Sequence, residues 1–233
     1  MRPFALAQAT DLEKRATWLR HGGTWFVGVD ALPNDARGAV DGGPPLSGRA
    51  FEEAIAATGV TALHRAQVSV TYPGYPQQDP DESDAAHRFR RNRDAAHLDG
   101  LLPEGLEKRR HLREPHAYIL GVALTEASAD AAPLVVWDGS QRIIGAAFAQ
   151  AFERHDADEW PNLDVTEIYK AARAKAFAMC RRVEIPLTPG ESVLLHRHVI
   201  HGVAPWGKRA TAAPEGRAIA YFRPCLKDFA DWL

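Results

Sequence analysis

The stretch Asp94-Ala95-Ala96-His97-Leu98-Asp99-Gly100 is the part of the chain around which we interpret the rest. It reads as a short strand that enters a turn at Gly100. Side chains at positions i and i+2 of a strand point to the same face, so His97 and Asp99 would lie side by side. An imidazole and a carboxylate suit a divalent metal, and one further histidine would complete a facial triad with open positions. Because His-x-Asp often arises by chance, this interpretation needs support elsewhere in the chain.

The composition is that of an ordinary globular protein. The chain has 233 residues, 45% hydrophobic and 25% charged, with a net charge of −2 and no basic block, so we expect no nucleic-acid partner. No apolar run has the length of a signal sequence or a membrane span, so no membrane partner is expected. The two cysteines, Cys180 and Cys225, have neither metal-ligand nor disulfide spacing. These features together predict a cytoplasmic location.

Periodicity and turn residues predict a mostly β fold with flanking helices. Helices are predicted over 10–21, 49–58, 143–152 and 164–182, and strands over 24–29, 62–72, 86–99, 116–125, 133–137, 183–187, 192–199 and 217–223. Residues 101–113 are predicted to be a polar excursion, that is, a polar segment outside the helices and strands. Short strands separated by turns are typical of a jelly roll, the cupin-like double-stranded β-helix. We expect one domain over 1–233, with a barrel core over about 60–224, N-terminal helices over 1–60 packed on it, and helices covering one sheet.

The third ligand is expected in the histidine-rich segment 194–202, whose sequence is Leu-Leu-His-Arg-His-Val-Ile-His-Gly. We favour His201, because it stands where a strand ends and Gly202 would let the chain pass close to a metal. Sixteen residues later, Arg217 opens the last predicted strand. A buried arginine is costly unless it meets an anion, and its planar fork matches a carboxylate at two points.

Taken in order, these motifs resemble the non-haem iron(II), 2-oxoglutarate-dependent dioxygenases, and among them the phytanoyl-CoA dioxygenase-like proteins. The resemblance covers about residues 60–224. The matching segments are His97-Leu98-Asp99, then Leu134-Val135-Val136-Trp137-Asp138-Gly139-Ser140-Gln141, then Gly190-Glu191-Ser192-Val193-Leu194-Leu195-His196, then His201-Gly202, and finally Arg217. The chain departs from the family pattern at Trp137-Asp138 and Gln141, at Gly121 and at Val203.

The resemblance implies a function and a set of site residues. His97, Asp99 and His201 would be the iron(II) ligands, and Arg217 would pair with the distal carboxylate of 2-oxoglutarate. His196 would correspond to a family histidine that is not a ligand. The implied reaction uses O2 and 2-oxoglutarate, releases succinate and CO2, and oxidises a small-molecule substrate. The carboxylate at Asp99 favours hydroxylation over halogenation.

Two features bear on the substrate pocket. If 86–99 is a regular strand, Arg93 shares a face with His97 and Asp99, and it would hold an anionic group of the substrate. The alternative is a solvated basic edge that prevents sheet pairing. In the strand 116–125, one face carries Ala117, Ile119, Gly121 and Ala123. Because most of these side chains are small, this face would either leave room for a ligand or pack closely against a neighbouring element.

Two other functions remain open from the sequence. A cupin-type metal protein would use His196 and His198 as its metal pair, but it would need a carboxylate and another histidine further along, and no histidine follows His201. A non-catalytic member of the same barrel fold would keep or lose the metal and serve in binding. The sequence indicates neither the substrate nor the oligomeric state.

Overall fold

Six α-helices and eleven β-strands make up the protein in a computed structural model that describes residues 1–233. The helices are α1 (Arg2–Thr10), α2 (Leu12–Trp18), α3 (Arg49–Thr58), α4 (Asp84–Asn92), α5 (Ser140–Phe152) and α6 (Thr166–Met179). The strands are β1 (Leu19–Arg20), β2 (Trp25–Phe26), β3 (Gln67–Thr71), β4 (Leu101–Glu104), β5 (Arg109–Leu112), β6 (Tyr118–Ala123), β7 (Leu134–Asp138), β8 (Arg181–Ile185), β9 (Ser192–His196), β10 (His201–Val203) and β11 (Arg217–Phe222). Short 3₁₀ helices occupy Trp160–Asn162 and Phe229–Trp232. No helix is long and apolar enough to cross a membrane.

The strands form two antiparallel sheets and a separate hairpin. The large sheet has the order β1-β2-β3-β11-β6-β9, and the small sheet has the order β10-β7-β8. A single bridge between His97 and His201 extends the small sheet by one short segment. From β3 onward, β3, β6, β9 and β11 lie in the large sheet and β7, β8 and β10 in the small one, so the chain crosses between the two sheets several times. The hairpin β4–β5 occupies the predicted polar excursion.

Alternating side chains on the strands build three apolar layers. On the outer face of the large sheet, Val68, Val70, Ala218 and Ala220 pack with residues of α1 and α3. On the outer face of the small sheet, a second cluster joins β7 to α5 and α6 through Val135, Trp137, Ile144, Phe148, Ala172 and Ala176. Between the sheets lies a smaller cluster of Ile119, Leu134, Val136, Leu195 and Val199. The prediction that helices cover one sheet is therefore wrong, because both outer faces are apolar and both are covered.

Most predicted strands are present, but the strand predicted over 86–99 is wrong. Residues 84–92 form α4, which begins after Ser83, whose side chain accepts a hydrogen bond from the Ala86 amide at 3.3 Å. Asp84 lies in the first turn and Arg90 and Arg91 in the last, so the charges complement the helix dipole. The helix ends because Asp94 and Ala95 have positive φ values of 54° and 52°. The Ser83 cap and the order of charges along the segment favour a helix here, and not the predicted strand.

The N-terminal region also differs from the prediction. A helix that sequence patterns left unassigned, α1, occupies Thr10, so the next helix is capped by Asp11 and not by Thr10. The Asp11 carboxylate accepts a hydrogen bond from the Lys14 amide at 2.9 Å. The helix over 49–58 is confirmed, and it ends at Gly59, whose φ of +69° is the left-handed cap that glycine adopts without strain.

An ion pair with a buried carboxylate anchors the segment that carries His97. The Asp94 side chain is 4% exposed, and Arg182 of β8 donates to its two carboxylate oxygens at 2.7 and 2.8 Å. Asp94 is also the residue whose positive φ turns the chain from α4 towards His97. This pair therefore holds the small sheet and the His97 segment together.

We expect Arg182→Ala to lower the free energy of unfolding by about 2–3 kcal/mol, because it leaves a buried carboxylate without its partner. Urea denaturation measures the loss. The matched control is Arg181→Ala, which removes a neighbouring arginine that is 79% exposed and lies 3.8 Å from Asp138. Surface pairs of this kind contribute about 0–1 kcal/mol. Equal losses in the two variants would contradict the anchoring role.

Candidate metal centre

Three side chains that the sequence singled out meet between the two sheets. One ligand atom from each of His97, Asp99 and His201 lies within 4.8 Å of the others. The Asp99 Oδ1 atom lies 3.1 Å from His97 Nε2 and 3.7 Å from His201 Nε2. No other group of three or more His, Cys, Asp or Glu side chains converges in this way in the chain.

Backbone pairing brings the two histidines together. The His97 amide donates to the His201 carbonyl at 2.9 Å, and the His201 amide donates to the His97 carbonyl at 3.1 Å. The Val203 amide donates to the Asp94 carbonyl at 2.9 Å. A Cβ atom on Gly202 would lie 2.1 Å from the Asp94 carbonyl oxygen, so only glycine permits this approach. The sequence predicts that Gly202 lets the chain pass close to a metal. In the structure, Gly202 instead lets the chain pass close to the backbone of the His97 segment.

Both histidines are oriented by their second ring nitrogen. His97 Nδ1 lies 3.0 Å from the Ala95 carbonyl, and His201 Nδ1 lies 3.1 Å from the Val199 carbonyl. Because a carbonyl only accepts hydrogen bonds, each Nδ1 carries the proton. Each Nε2 is then left with a lone pair that faces Asp99, which is the tautomer that metal-binding histidines require. The donor set and its orientation therefore fit a divalent transition metal.

Burial and charge prepare the ligands for a cation. Burial is the main cause that lowers the pKa of His201 to about 4, so its ring is neutral at pH 7. Burial raises the pKa of Asp99, but His201, His97 and Arg223 outweigh it and hold the pKa well below its usual range. The His97 side chain is 48% exposed, whereas those of Asp99 and His201 are 11% and 9% exposed. The centre therefore opens on the His97 side, where exogenous ligands could approach.

A cavity of about 230 Å³ adjoins the three residues. Its wall is mostly apolar and is lined by Trp25, Val27, Val29, Tyr75, Ile119, Leu134, Val203 and Tyr221, among others. The polar wall residues Gln67, Ser69 and Arg223 also face it. A larger surface groove, of about 570 Å³, lies between α5 and α6 and contains none of the three residues.

Arg217, the first residue of β11, lies on the strand face that is turned to the space between the sheets. Arg217 is 5% exposed, and its Nη2 atom has no hydrogen-bond partner. Burial lowers the pKa of Arg217, and the neighbouring Tyr221 acts in the opposite direction. An unpaired buried guanidinium is costly, so Arg217 is suited to an anion that enters the site. Arg217 does not line the cavity described above.

Arg223, the alternative to Arg217 that the sequence offers as the cosubstrate anchor, lies beside Asp99. Its Nη1 atom is 3.3 Å from the Asp99 Oδ2 atom, on the opposite side of the carboxylate from the histidines. It is one place beyond β11 and six residues after Arg217, so strand alternation puts both on one face. The sequence did not predict its pairing with Asp99.

The structure does not place Arg93 on a strand face shared with His97 and Asp99. Arg93 follows α4 as its C-cap residue, and its side chain is exposed. The guanidinium lies 5.3 Å from the centre of the Phe177 ring on α6, and Arg93 does not line the cavity. Because 84–92 is helical, the alternation that put Arg93 on the face of His97 does not apply.

The other histidines of segment 194–202 have structural contacts. The His196 ring accepts a hydrogen bond from the His198 amide at 3.0 Å, and the His198 ring packs edge-on against Trp232 at 4.3 Å. Neither belongs to a cluster of metal-binding side chains. The Tyr221 ring occupies the space over the small-residue face of β6, because a Cβ on Gly121 would lie 2.8 Å from that ring. Close packing, one of the two alternatives for that face, is what the structure has at Gly121.

Comparisons with known proteins add little to this geometry. No known protein-family profile matches the sequence, and no curated protein matches it. Among solved structures, the chain is similar to one described as "Crystal structure of non-heme alpha ketoglutarate dependent carbocyclase SnoK from nogalamycin biosynthesis", with 14% identity and a TM-score of 0.37. The similar region covers 74% of this chain and 54% of that one, so the chain spans about half of its length. A similarity of this size by itself assigns neither a fold nor a function.

We expect Gly202→Ala to lower the affinity for Co²⁺ or Ni²⁺ at least tenfold and to destabilise the fold by about 2 kcal/mol or more, because the added Cβ separates the two histidine-bearing segments. Isothermal titration and urea denaturation measure the two effects. Gly190→Ala is the control, since nothing lies within 4 Å of a Cβ added at Gly190, although its positive φ of +88° would strain an alanine. It should cost about 1 kcal/mol of backbone strain and leave metal affinity unchanged. Unaltered metal affinity in Gly202→Ala would contradict the proposed role of the pairing.

Proposed function

We propose that the protein is a non-haem iron(II), 2-oxoglutarate-dependent oxygenase that oxidises a small-molecule substrate. The observation that carries this proposal is the convergence of His97, Asp99 and His201, with both Nε2 atoms facing one carboxylate oxygen. Two histidines and one carboxylate form the facial triad typical of such enzymes, which leaves open positions for other ligands. The repeated crossing of the chain between the two antiparallel sheets supports a jelly roll, the fold expected for this activity.

Arg217 supplies the second element of the proposal. It is a buried cation without a partner for Nη2, and it lies on the face of β11 that also carries Tyr221 and Arg223. A dicarboxylate that reaches from the metal to Arg217 would neutralise this charge through a two-point contact. Arg223 is already paired with Asp99, so Arg217 is the better anchor for the distal carboxylate.

The chain's own residues would position the reactants. His97, Asp99 and His201 would hold the metal, and Arg223 would keep the second Asp99 oxygen away from it. Iron bound with 2-oxoglutarate and O2 supplies oxidative decarboxylation to succinate and CO2 together with oxidation of a C–H bond. The apolar wall of Trp25, Tyr75 and Ile119 would exclude water and hold the substrate. We further propose that the oxidation is a hydroxylation and that the protein is one of the phytanoyl-CoA dioxygenase-like proteins.

Anaerobic addition of iron(II) and 2-oxoglutarate tests the metal centre. We expect a weak visible charge-transfer band in the wild type and no band in His201→Ala, because the loss of one ligand removes the facial triad. His198→Ala is the matched control and should keep the band, although it loses stability through its contact with Trp232. A band that survives in His201→Ala but disappears in His198→Ala would show that the third ligand is misassigned.

We expect Arg217→Ala to raise the 2-oxoglutarate concentration required for half-saturation by roughly 30- to 4,000-fold, which corresponds to about 2–5 kcal/mol for the loss of a paired arginine. Titration of the anaerobic band measures this effect, and Co²⁺ affinity should stay nearly constant. The exposed Arg209 provides a control variant, Arg209→Ala, with no expected effect. An unchanged requirement in Arg217→Ala, with a raised one in Arg223→Ala, would move the anchor to Arg223.

The substrate can be sought with succinate formation as the readout across a pool of metabolites. A substrate should raise succinate release above the uncoupled rate, and the oxidised product should gain one oxygen if the enzyme is a hydroxylase. A protein that binds iron and 2-oxoglutarate yet forms no succinate with any metabolite would favour the non-catalytic alternative.

A further inference from the structure

Cys225 stands beside a buried histidine outside the proposed metal centre. Both cysteines are free, and Cys225 is exposed. It lies opposite His116 in an antiparallel bridge, which is fixed by hydrogen bonds from the Ala117 amide to Pro224 and from the Leu226 amide to Pro115, at 2.7 and 2.8 Å. The Cys225 Sγ atom is 3.6 Å from His116 Nδ1. The backbone therefore holds the thiol and the ring together.

The surroundings of His116 favour its charged form. Its side chain is only 4% exposed, and its Nε2 atom lies 3.2 Å from the Glu114 carboxylate. Its Nδ1 atom lies 2.8 Å from the Arg223 carbonyl, which only accepts, so Nδ1 carries a proton. Burial opposes the charge, but Cys225 and Glu114, with Asp99, raise the pKa of His116 to about 9 against the opposing effect of Arg223. The charge of His116 in turn acts on His64, whose pKa is lowered mainly by burial and further by His116.

A cationic ring next to a sulfur atom favours the thiolate, which is the reactive form of cysteine. The Nδ1 proton of His116 can be shared between the Arg223 carbonyl and the Cys225 sulfur. Glu114 completes an arrangement of nucleophile, histidine and carboxylate. Cys180 has no such neighbours, and burial together with Asp138 raises the pKa of its thiol. The chain therefore contains one thiol with an activating environment and one without.

We propose that Cys225 is a modification site, a nucleophilic thiol that His116 and Glu114 activate towards hydroperoxides and other soft electrophiles. In the reaction with a hydroperoxide, the thiolate attacks the terminal peroxide oxygen. The S–O bond forms as the O–O bond breaks, and the departing alkoxide takes a proton from the His116 imidazolium. The products are cysteine sulfenic acid and the alcohol, so sulfur is oxidised by two electrons and the peroxide is reduced by two. This proposal is independent of the metal and of the oxygenase function.

Alkylation by iodoacetamide in a Cys180→Ser background tests the activation, because Cys225 is then the only thiol. At about pH 6, we expect Cys225 to react roughly tenfold faster than in the same protein with His116→Gln, since a larger thiolate fraction outweighs a modest loss of nucleophilicity. Glu114→Gln should give an intermediate rate. The matched control is His155→Gln, which removes an exposed histidine that lies 3.5 Å from Glu159 and near neither cysteine. It should leave the rate unchanged.

The pH profile keeps the test valid if His116→Gln does not fold. An ordinary thiol reacts about tenfold faster for each unit of pH up to about 8.5. If His116 activates Cys225, its rate should rise by clearly less than this between pH 6 and pH 8. A rate in His116→Gln within twofold of the parent, or an ordinary profile in the parent itself, would overturn the proposal.

Oxidation gives the second measurement. The Cys180→Ser protein, kept with a chelator so that no metal contributes, is treated with tert-butyl hydroperoxide and then with dimedone, which traps sulfenic acid. We expect a dimedone adduct on Cys225 that forms severalfold more slowly in His116→Gln, and no adduct in the Cys180→Ser, Cys225→Ser double variant. Oxidation confined to the methionines would overturn the proposal, and neither measurement depends on whether the protein is an oxygenase.

Discussion

The backbone pairing of the His97 segment with β10 is the constraint on which the candidate metal centre depends. Two reciprocal hydrogen bonds join His97 and His201, and both rings then point their Nε2 atoms at Asp99. The pairing is possible because Gly202 has no Cβ to meet the Asp94 carbonyl. Asp94 in turn is held by Arg182 of the small sheet. The geometry of the three candidate ligands therefore depends on the missing side chain at Gly202 and on the ion pair between Asp94 and Arg182.

Arg217 at the start of β11 and Arg223 just beyond its end are in opposite electrostatic situations. Arg223 is paired with Asp99, which balances its charge and turns the other carboxylate oxygen towards the histidines. Arg217 has an unpaired Nη2 at the other end of β11. An unpaired buried charge lowers stability, and proteins keep such groups mainly where a ligand completes them. The cost at Arg217 is therefore consistent with an anion site between the two sheets.

Short-range patterns in the sequence predicted well wherever burial is one-sided or regular. The short apolar runs in 133–137 and 217–223 and the helical spacing in 143–152 correspond to β7, β11 and α5. The prediction of a strand over 86–99 failed. The cap at Ser83 and the order of charges along α4 favour a helix, and the strand prediction did not take them into account. The error removed the basis for Arg93 but left His97 and Asp99 unaffected, since they follow the helix.

The chemical types of the candidate ligands, their order and the glycine after His201 could be read from the chain, because they depend on side-chain chemistry and on neighbouring residues alone. The position before Gly202 favoured His201 over His196 and His198, although all three lie within six residues. It is the pairing with a segment about a hundred residues earlier that brings the His201 ring to Asp99. The same holds for Arg223 and for the Tyr221 ring that fills the space at Gly121. These contacts join strands that are distant in sequence, and strand register and sheet packing set them.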